Sequence, residues 1–155
     1  MNTVLLIAHA PLAHALREAA LHVFPDAAAD MVALDVQAQD APETSLAAAR
    51  AALARLPHDA GALILVDICG ATPCNVAARL HDGAAGARTR LLAGVNLPML
   101  LRALTYRHEP LDSMLQKAQA GGTQGITTPV TCTTHPPQHQ PPRASHDQER
   151  DHHQQ

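Results

Sequence analysis

Four short apolar runs, each followed by a stretch with helical spacing, constrain this chain more than any other feature. Val4–Ala8 and Ala62–Val66 are continuous apolar segments too short for helices, as expected for central parallel strands covered on both faces. Met31–Val36 and Leu91–Val95 read as two further strands. Between them lie Ala-rich segments with apolar residues three and four apart. Pro11 suits a first helical turn, and Leu12, Leu16, Ala19 and Val23 fall on one face behind it, with His14, Glu18 and His22 turned to solvent. Pro42 opens a second helix with the stripe Leu46, Ala49, Leu53 and Leu56, closed by Pro57 and Gly61. Thr72-Pro73 looks like an N-cap and a first-turn proline. Pro98 opens a fourth helix, and Leu111–Ala120 forms a fifth that Gly121, Gly122 and Gly125 punctuate.

Strands alternating with helices predict an α/β fold: a doubly wound, mainly parallel, four-stranded sheet with helices on both faces and right-handed crossovers. The apolar content of 46% supports a packed core, and with 1% aromatic residues that core must be built from Leu, Val, Ile and Ala. Composition changes near residue 127. Beyond it come Pro129, Pro136, Pro137, Pro141 and Pro142, many Gln, and His135, His139, His146, His152 and His153. The chain therefore reads as one domain over 1–127 and a disordered His/Pro/Gln-rich tail over 128–155.

Several functions are set aside by composition. The formal net charge is −3, without a basic stripe or stacking aromatics, so nucleic acid is not an expected partner. No apolar run reaches the roughly 20 residues of a membrane span. The start of the chain lacks a secretory signal pattern, and cytoplasm is the expected location. Cys69, Cys74 and Cys132 are an odd, sparse set that fits reduced thiols. No dinucleotide, P-loop or Gly-x-Ser-x-Gly motif is present, and no cofactor or structural metal is expected, although the tail could chelate Zn²⁺ or Ni²⁺ weakly.

In doubly wound sheets ligands sit beyond the carboxyl ends of the strands. That rule directs attention to residues 8–11, 67–73 and 94–98. His9 follows the first strand, Asp67 ends the third, Gly70, Ala71, Thr72 and Asn75 follow it, and Gly94 and Asn96 follow the fourth. A neutral imidazole is a nucleophile near pH 7, and a carboxylate on its other nitrogen fixes the tautomer and offsets developing charge. Asp67 can do this if the first and third strands are neighbours. Backbone N–H groups at the helix starts after Pro11 and Pro73 would hold phosphoryl oxygens. Arg102 and Arg107 follow the third loop and read first as a solvated helix face, with phosphoryl contact as the alternative. His58, His81 and His108, near helix ends, read as structural.

Three segments resemble the mannose-type enzyme IIA family of the bacterial sugar phosphotransferase system. They are Val4-Leu5-Leu6-Ile7-Ala8-His9, Leu65-Val66-Asp67-Ile68-Cys69-Gly70-Ala71-Thr72-Pro73-Cys74-Asn75, and Ala93-Gly94-Val95-Asn96-Leu97-Pro98-Met99-Leu100. The resemblance covers residues 1 to about 127 and implies a phosphohistidine relay. His9 would take a phosphoryl group from the carrier HPr and pass it to an enzyme IIB partner. Asp67 would be the neighbouring carboxylate, and Gly70, Ala71 and Thr72 would bind the phosphoryl group, with Asn75 and Asn96 in support. It also implies a homodimer, with an added C-terminal edge strand near Thr123–Thr128 exchanged between subunits. The chain departs from the family in Ala10-Pro11, where Gly often follows the histidine, and in Cys69, where an aromatic residue is common. A second reading, a regulatory binding module gated by phosphorylation, shares the fold and His9, and a third is a metal-handling protein with the tail as chelator.

Overall fold

The computed structural model describes residues 1–57, 59–83 and 88–128. In chain order they form β1 (Thr3–His9), α1 (Leu12–Leu21), a 3₁₀ segment (Pro25–Asp30), β2 (Met31–Val36), α2 (Pro42–Ala54), β3 (Ala62–Val66), α3 (Thr72–His81), β4 (Thr89–Ala93), α4 (Leu97–Thr105) and α5 (Leu111–Gln124). Residues 129–155 of the expected tail, and His58, lie outside the described residues.

All strand pairings are parallel, in the order β2-β1-β3-β4. From β1 the chain winds outward to β2 on one side and to β3 on the other, so the direction of winding switches at the centre of the sheet. β1 and β3 are buried along their lengths apart from His9 at the rim. Alternation then divides the core. Val4, Leu6, Ala8, Leu63 and Leu65 pack with residues of α1, α4 and α5, whereas Leu5, Ile7, Ile64 and Val66 pack with residues of α2 and α3.

Several details differ from the pattern in the sequence. β4 begins two residues earlier than Leu91, because the polar Thr89 and Arg90 belong to an edge strand whose Arg90 reaches Asp112 of α5 at 2.5 Å. The inner face of α1 is Ala13, Leu16 and Ala20, whereas Leu12 and Val23 are exposed. The cause lies in β2: Asp35 Oδ1 accepts the Ala13 and His14 N–H groups at 2.9 and 3.3 Å, which sets the helix rotation with Ala13 innermost. Arg107 is not on a solvated face. It is buried and donates to Asp30 at 2.8 Å, to Asp26 at 2.7 Å and to the Leu104 carbonyl at 2.8 Å, tying the end of α4 to the 3₁₀ segment.

α5 does not stop at Gly121-Gly122 but continues to Gln124. These glycines lie within a tight helix crossing, not at a terminus. A Cβ on Gly121 would lie 2.6 Å from Arg102 Cβ, and one on Gly122 would lie 2.7 Å from Met99 Cε. The close approach of α4 and α5 therefore needs both positions without side chains. Thr123 and Gln124 are helical, and residues 126–128 pair with no strand of the single chain. An exchanged edge strand would be a property of a dimer.

Gly→Ala in a helix normally gains about 1 kcal/mol. Gly121→Ala should instead lose about 1–3 kcal/mol in denaturant unfolding, because the contact is with a Cβ that cannot swing away. Gly122→Ala should cost less, since the flexible Met99 terminus can yield. A stabilised Gly121→Ala would contradict this packing.

Candidate functional site

The site lies at the carboxyl end of the two central strands. Ile7 pairs with Val66, so the residue after Val66 stands level with Ala8 on the neighbouring strand. That residue is Asp67. Its Oδ2 accepts the His9 backbone N–H at 2.9 Å and lies 2.6 Å from His9 Nδ1, while Oδ1 accepts the Ile68 N–H at 2.9 Å. The adjacency of β1 and β3, on which the pairing of His9 with Asp67 depended, is thus present.

Electrostatics follow from that geometry. Burial would raise the Asp67 pKa. Hydrogen bonds from the His9 N–H, the His9 ring and the Ile68 N–H outweigh it and hold the carboxyl below its ordinary value. An ionised Asp67 only accepts, so Nδ1 must carry the proton and the lone pair is left on Nε2. The His9 side chain is 51% exposed and that of Asp67 only 11%. The ring is therefore gripped on one edge and open on the other.

The loop beyond Asp67 can receive an anion. Gly70 has φ +86°, a left-handed turn with nothing within 4 Å of where a Cβ would stand. The N-cap of α3 is Ala71, one residue earlier than Thr72-Pro73 suggests, and it has no side-chain cap. The start of α3 therefore has its positive end uncapped, with Thr72 as the first helical residue. The start of α1 differs. Its Ala13 and His14 N–H groups already donate to Asp35, so those two amides are not open to a ligand in the way the sequence suggested.

The remaining candidates separate by environment. Asn75 is exposed on α3. Asn96 caps α4 by accepting the Met99 N–H at 2.9 Å and donates to the Gly122 carbonyl at 3.0 Å, so its amide holds the loop after β4 against α5. Arg102 is exposed and packs its stem against Gly121. His81 Nδ1 lies 2.7 Å from Thr89 Oγ1 and serves the fold. Cys69 is exposed and Cys74 buried, both as free thiols. Among the described residues no cluster of His, Cys, Asp or Glu could hold a metal ion, and no helix is long and apolar enough to cross a membrane. Sequence reasoning missed a second imidazole–carboxylate pair, His14 Nδ1 and Asp35 Oδ2 at 2.7 Å. The one available signal was the acid in the otherwise apolar Met31-Val32-Ala33-Leu34-Asp35-Val36 strand.

The four-stranded parallel sheet whose rim carries this imidazole and carboxylate has the fold of solved IIA components of phosphotransferase systems. The fold matches an EIIA component from Streptococcus agalactiae (TM-score 0.75, 23% identity, 85% of this chain and 100% of that one). It also matches a mannose/sorbose-specific IIA subunit from Enterococcus faecalis (TM-score 0.72, 26% identity, 82% of this chain and 93% of that one). A PTS fructose-specific EIIA component of Bacillus subtilis (strain 168) is 39% identical over 85 residues, 54% of this chain. The matched region spans about half of that relative (55%). The family model described as PTS system fructose IIA component matches residues 3–119, and the chain belongs to that family.

The depressed Asp67 pKa has a consequence for stability. A lowered native pKa contributes stability above the ordinary carboxylate range, and that contribution is lost as pH falls through the native value. The stability difference between wild type and Asp67→Asn should persist from neutral pH down to the carboxylate range and shrink below it, in denaturant titrations at stepped pH. A difference independent of pH would show that the Asp67 charge does not hold the site.

Proposed function

We propose that the chain is a phosphohistidine relay of the sugar phosphotransferase system, accepting a phosphoryl group on His9 from HPr and passing it to an enzyme IIB partner in the cytoplasm. The observation that carries this reading is the His9 ring with Nδ1 held at 2.6 Å by Asp67 and its other edge open. Family membership supports phosphoryl relay as the class of activity.

In the forward step the Nε2 lone pair attacks the phosphorus of the donor phosphohistidine. The new N–P bond forms as the donor's N–P bond breaks, and the donor imidazole leaves with that electron pair. The His9 Nδ1 proton stays on Nδ1, and Asp67 offsets the positive charge that develops on the ring. The N–H groups of Ala71 and Thr72 at the uncapped start of α3, with the Thr72 hydroxyl, would bind phosphoryl oxygens, and Gly70 lets the backbone approach. Asn75 and Asn96 would act in support, Asn96 by fixing the loop after β4. Transfer to the partner reverses the same bond changes.

Incubation with phosphoenolpyruvate, enzyme I and HPr should add one acid-labile phosphoryl group, mapped to the His9 peptide by mass spectrometry. His9→Ala should take up none. Asp67→Ala should remain folded and slow transfer roughly 10²-fold. Uptake by His9→Ala would overturn the assignment, and an unchanged rate in Asp67→Ala would remove the carboxylate from the mechanism. The downstream acceptor distinguishes transport from regulation: onward transfer to a IIB protein supports the relay, whereas phosphorylation-dependent capture of another protein without transfer supports a regulatory module.

A further inference from the structure

The second imidazole–carboxylate pair stands on the same rim. Asp35 registers with Ala8 across β1–β2, and Asp67 stands level with Ala8 across β1–β3. The two acids therefore flank β1 at one height, two strand spacings or about 10 Å apart. Asp35 holds its histidine as Asp67 does, with the His14 N–H on Oδ1 at 3.3 Å and the ring Nδ1 on Oδ2 at 2.7 Å. The His14 side chain is 60% exposed, more than that of His9.

A second phosphoryl acceptor is not what this pair provides. Two helix-start amides of α1, those of Ala13 and His14, already donate to Asp35, so the oxygens of a phosphoryl group would find fewer open donors here than α3 offers at His9. What remains is an oriented acceptor nitrogen backed by a carboxylate, on a chain of net charge −3. Two of the exposed large apolar side chains, Leu12 and Ile68, lie on the segments that follow β1 and β3 at this rim. A protein that brings a phosphohistidine to His9 covers on the order of 800 Å² of each partner, a patch far wider than the gap between the two pairs.

Resting on the relay reading, we infer that the His14–Asp35 pair is a docking contact for the phosphoryl-delivering protein, and that His14 Nε2 accepts from a cationic side chain of that protein beside apolar contacts at Leu12 and Ile68. The contact acts on encounter and on complex lifetime, not on the transferred bond. His14→Ala is a clean probe, because the Asp35 bonds to the backbone of α1 survive it.

The test compares two phosphoryl donors on the full chain: phosphorylated HPr, which must dock, and phosphoramidate, which need not. His14→Ala should raise KM for phosphorylated HPr about tenfold while kcat stays within twofold. Labelling of His9 by phosphoramidate should match wild type, and His14→Gln, which keeps a donor for Asp35 and an outward acceptor, should recover part of the loss. Unchanged KM in His14→Ala overturns the inference, as do equal losses with both donors or a phosphoryl group mapped to His14. Absence of uptake by wild type from either donor overturns the relay reading and this one together.

Discussion

The register between β1 and β3 is the constraint on which the site depends. It puts Val66 opposite Ile7 and so sets the Asp67 carboxylate against both the backbone and the ring of His9. A one-residue slip would turn Asp67 to the opposite face of the sheet. The slip is opposed by burial: Leu5, Ile7, Ile64 and Val66 face one core, and Val4, Leu6, Leu63 and Leu65 face the other. The geometry of the His9–Asp67 pair is in this sense a consequence of two apolar strands being covered on both sides. Topology then adds access, because helices cover the faces of the sheet and leave the His9 side chain at its carboxyl rim half exposed.

With almost no aromatic side chains, the core reaches density through close helix approach. Ala13, Ala20 and Ala27 are fully buried on the α1 side, and Gly121 and Gly122 let α5 press on α4. This crossing bears on the site through Asn96, whose amide joins the loop after β4 to the Gly122 carbonyl. Arg107, Asp26 and Asp30 lock the far end of α4 in the same way. Among the described residues no buried side-chain polar atom lacks a hydrogen-bond partner. A rigid frame of this kind lets a half-exposed imidazole keep one orientation.

Much of this was legible in the sequence where the signal is local. Val4–Ala8 and Ala62–Val66 are continuous apolar runs bounded by polar rim residues, so the central strands, His9 and Asp67 could be located by strand ends alone. Signals were weaker where burial is one-sided. β4 is an edge strand whose polar start, Thr89-Arg90, hides it, and the rotation of α1 depends on Asp35, a residue of another strand. The glycines of α5 read as a terminus because the facing residues Met99 and Arg102 become neighbours only on folding. The His14–Asp35 pair was invisible for the same reason: it needs the β1–β2 register and the seating of α1, and neither leaves a motif.

The proposed relay requires that Asp67 occupy one nitrogen of His9 and leave the other for phosphoryl transfer. The most direct measurement is nitrogen-15 and phosphorus-31 NMR of the protein labelled in its histidine rings, before and after phosphorylation. A protonated Nδ1 and a lone pair on Nε2 are expected in the free His9 ring, and phosphorus–nitrogen coupling at Nε2 in the phosphorylated one. A phosphoryl group on Nδ1, or a free ring in the opposite tautomer, would contradict it.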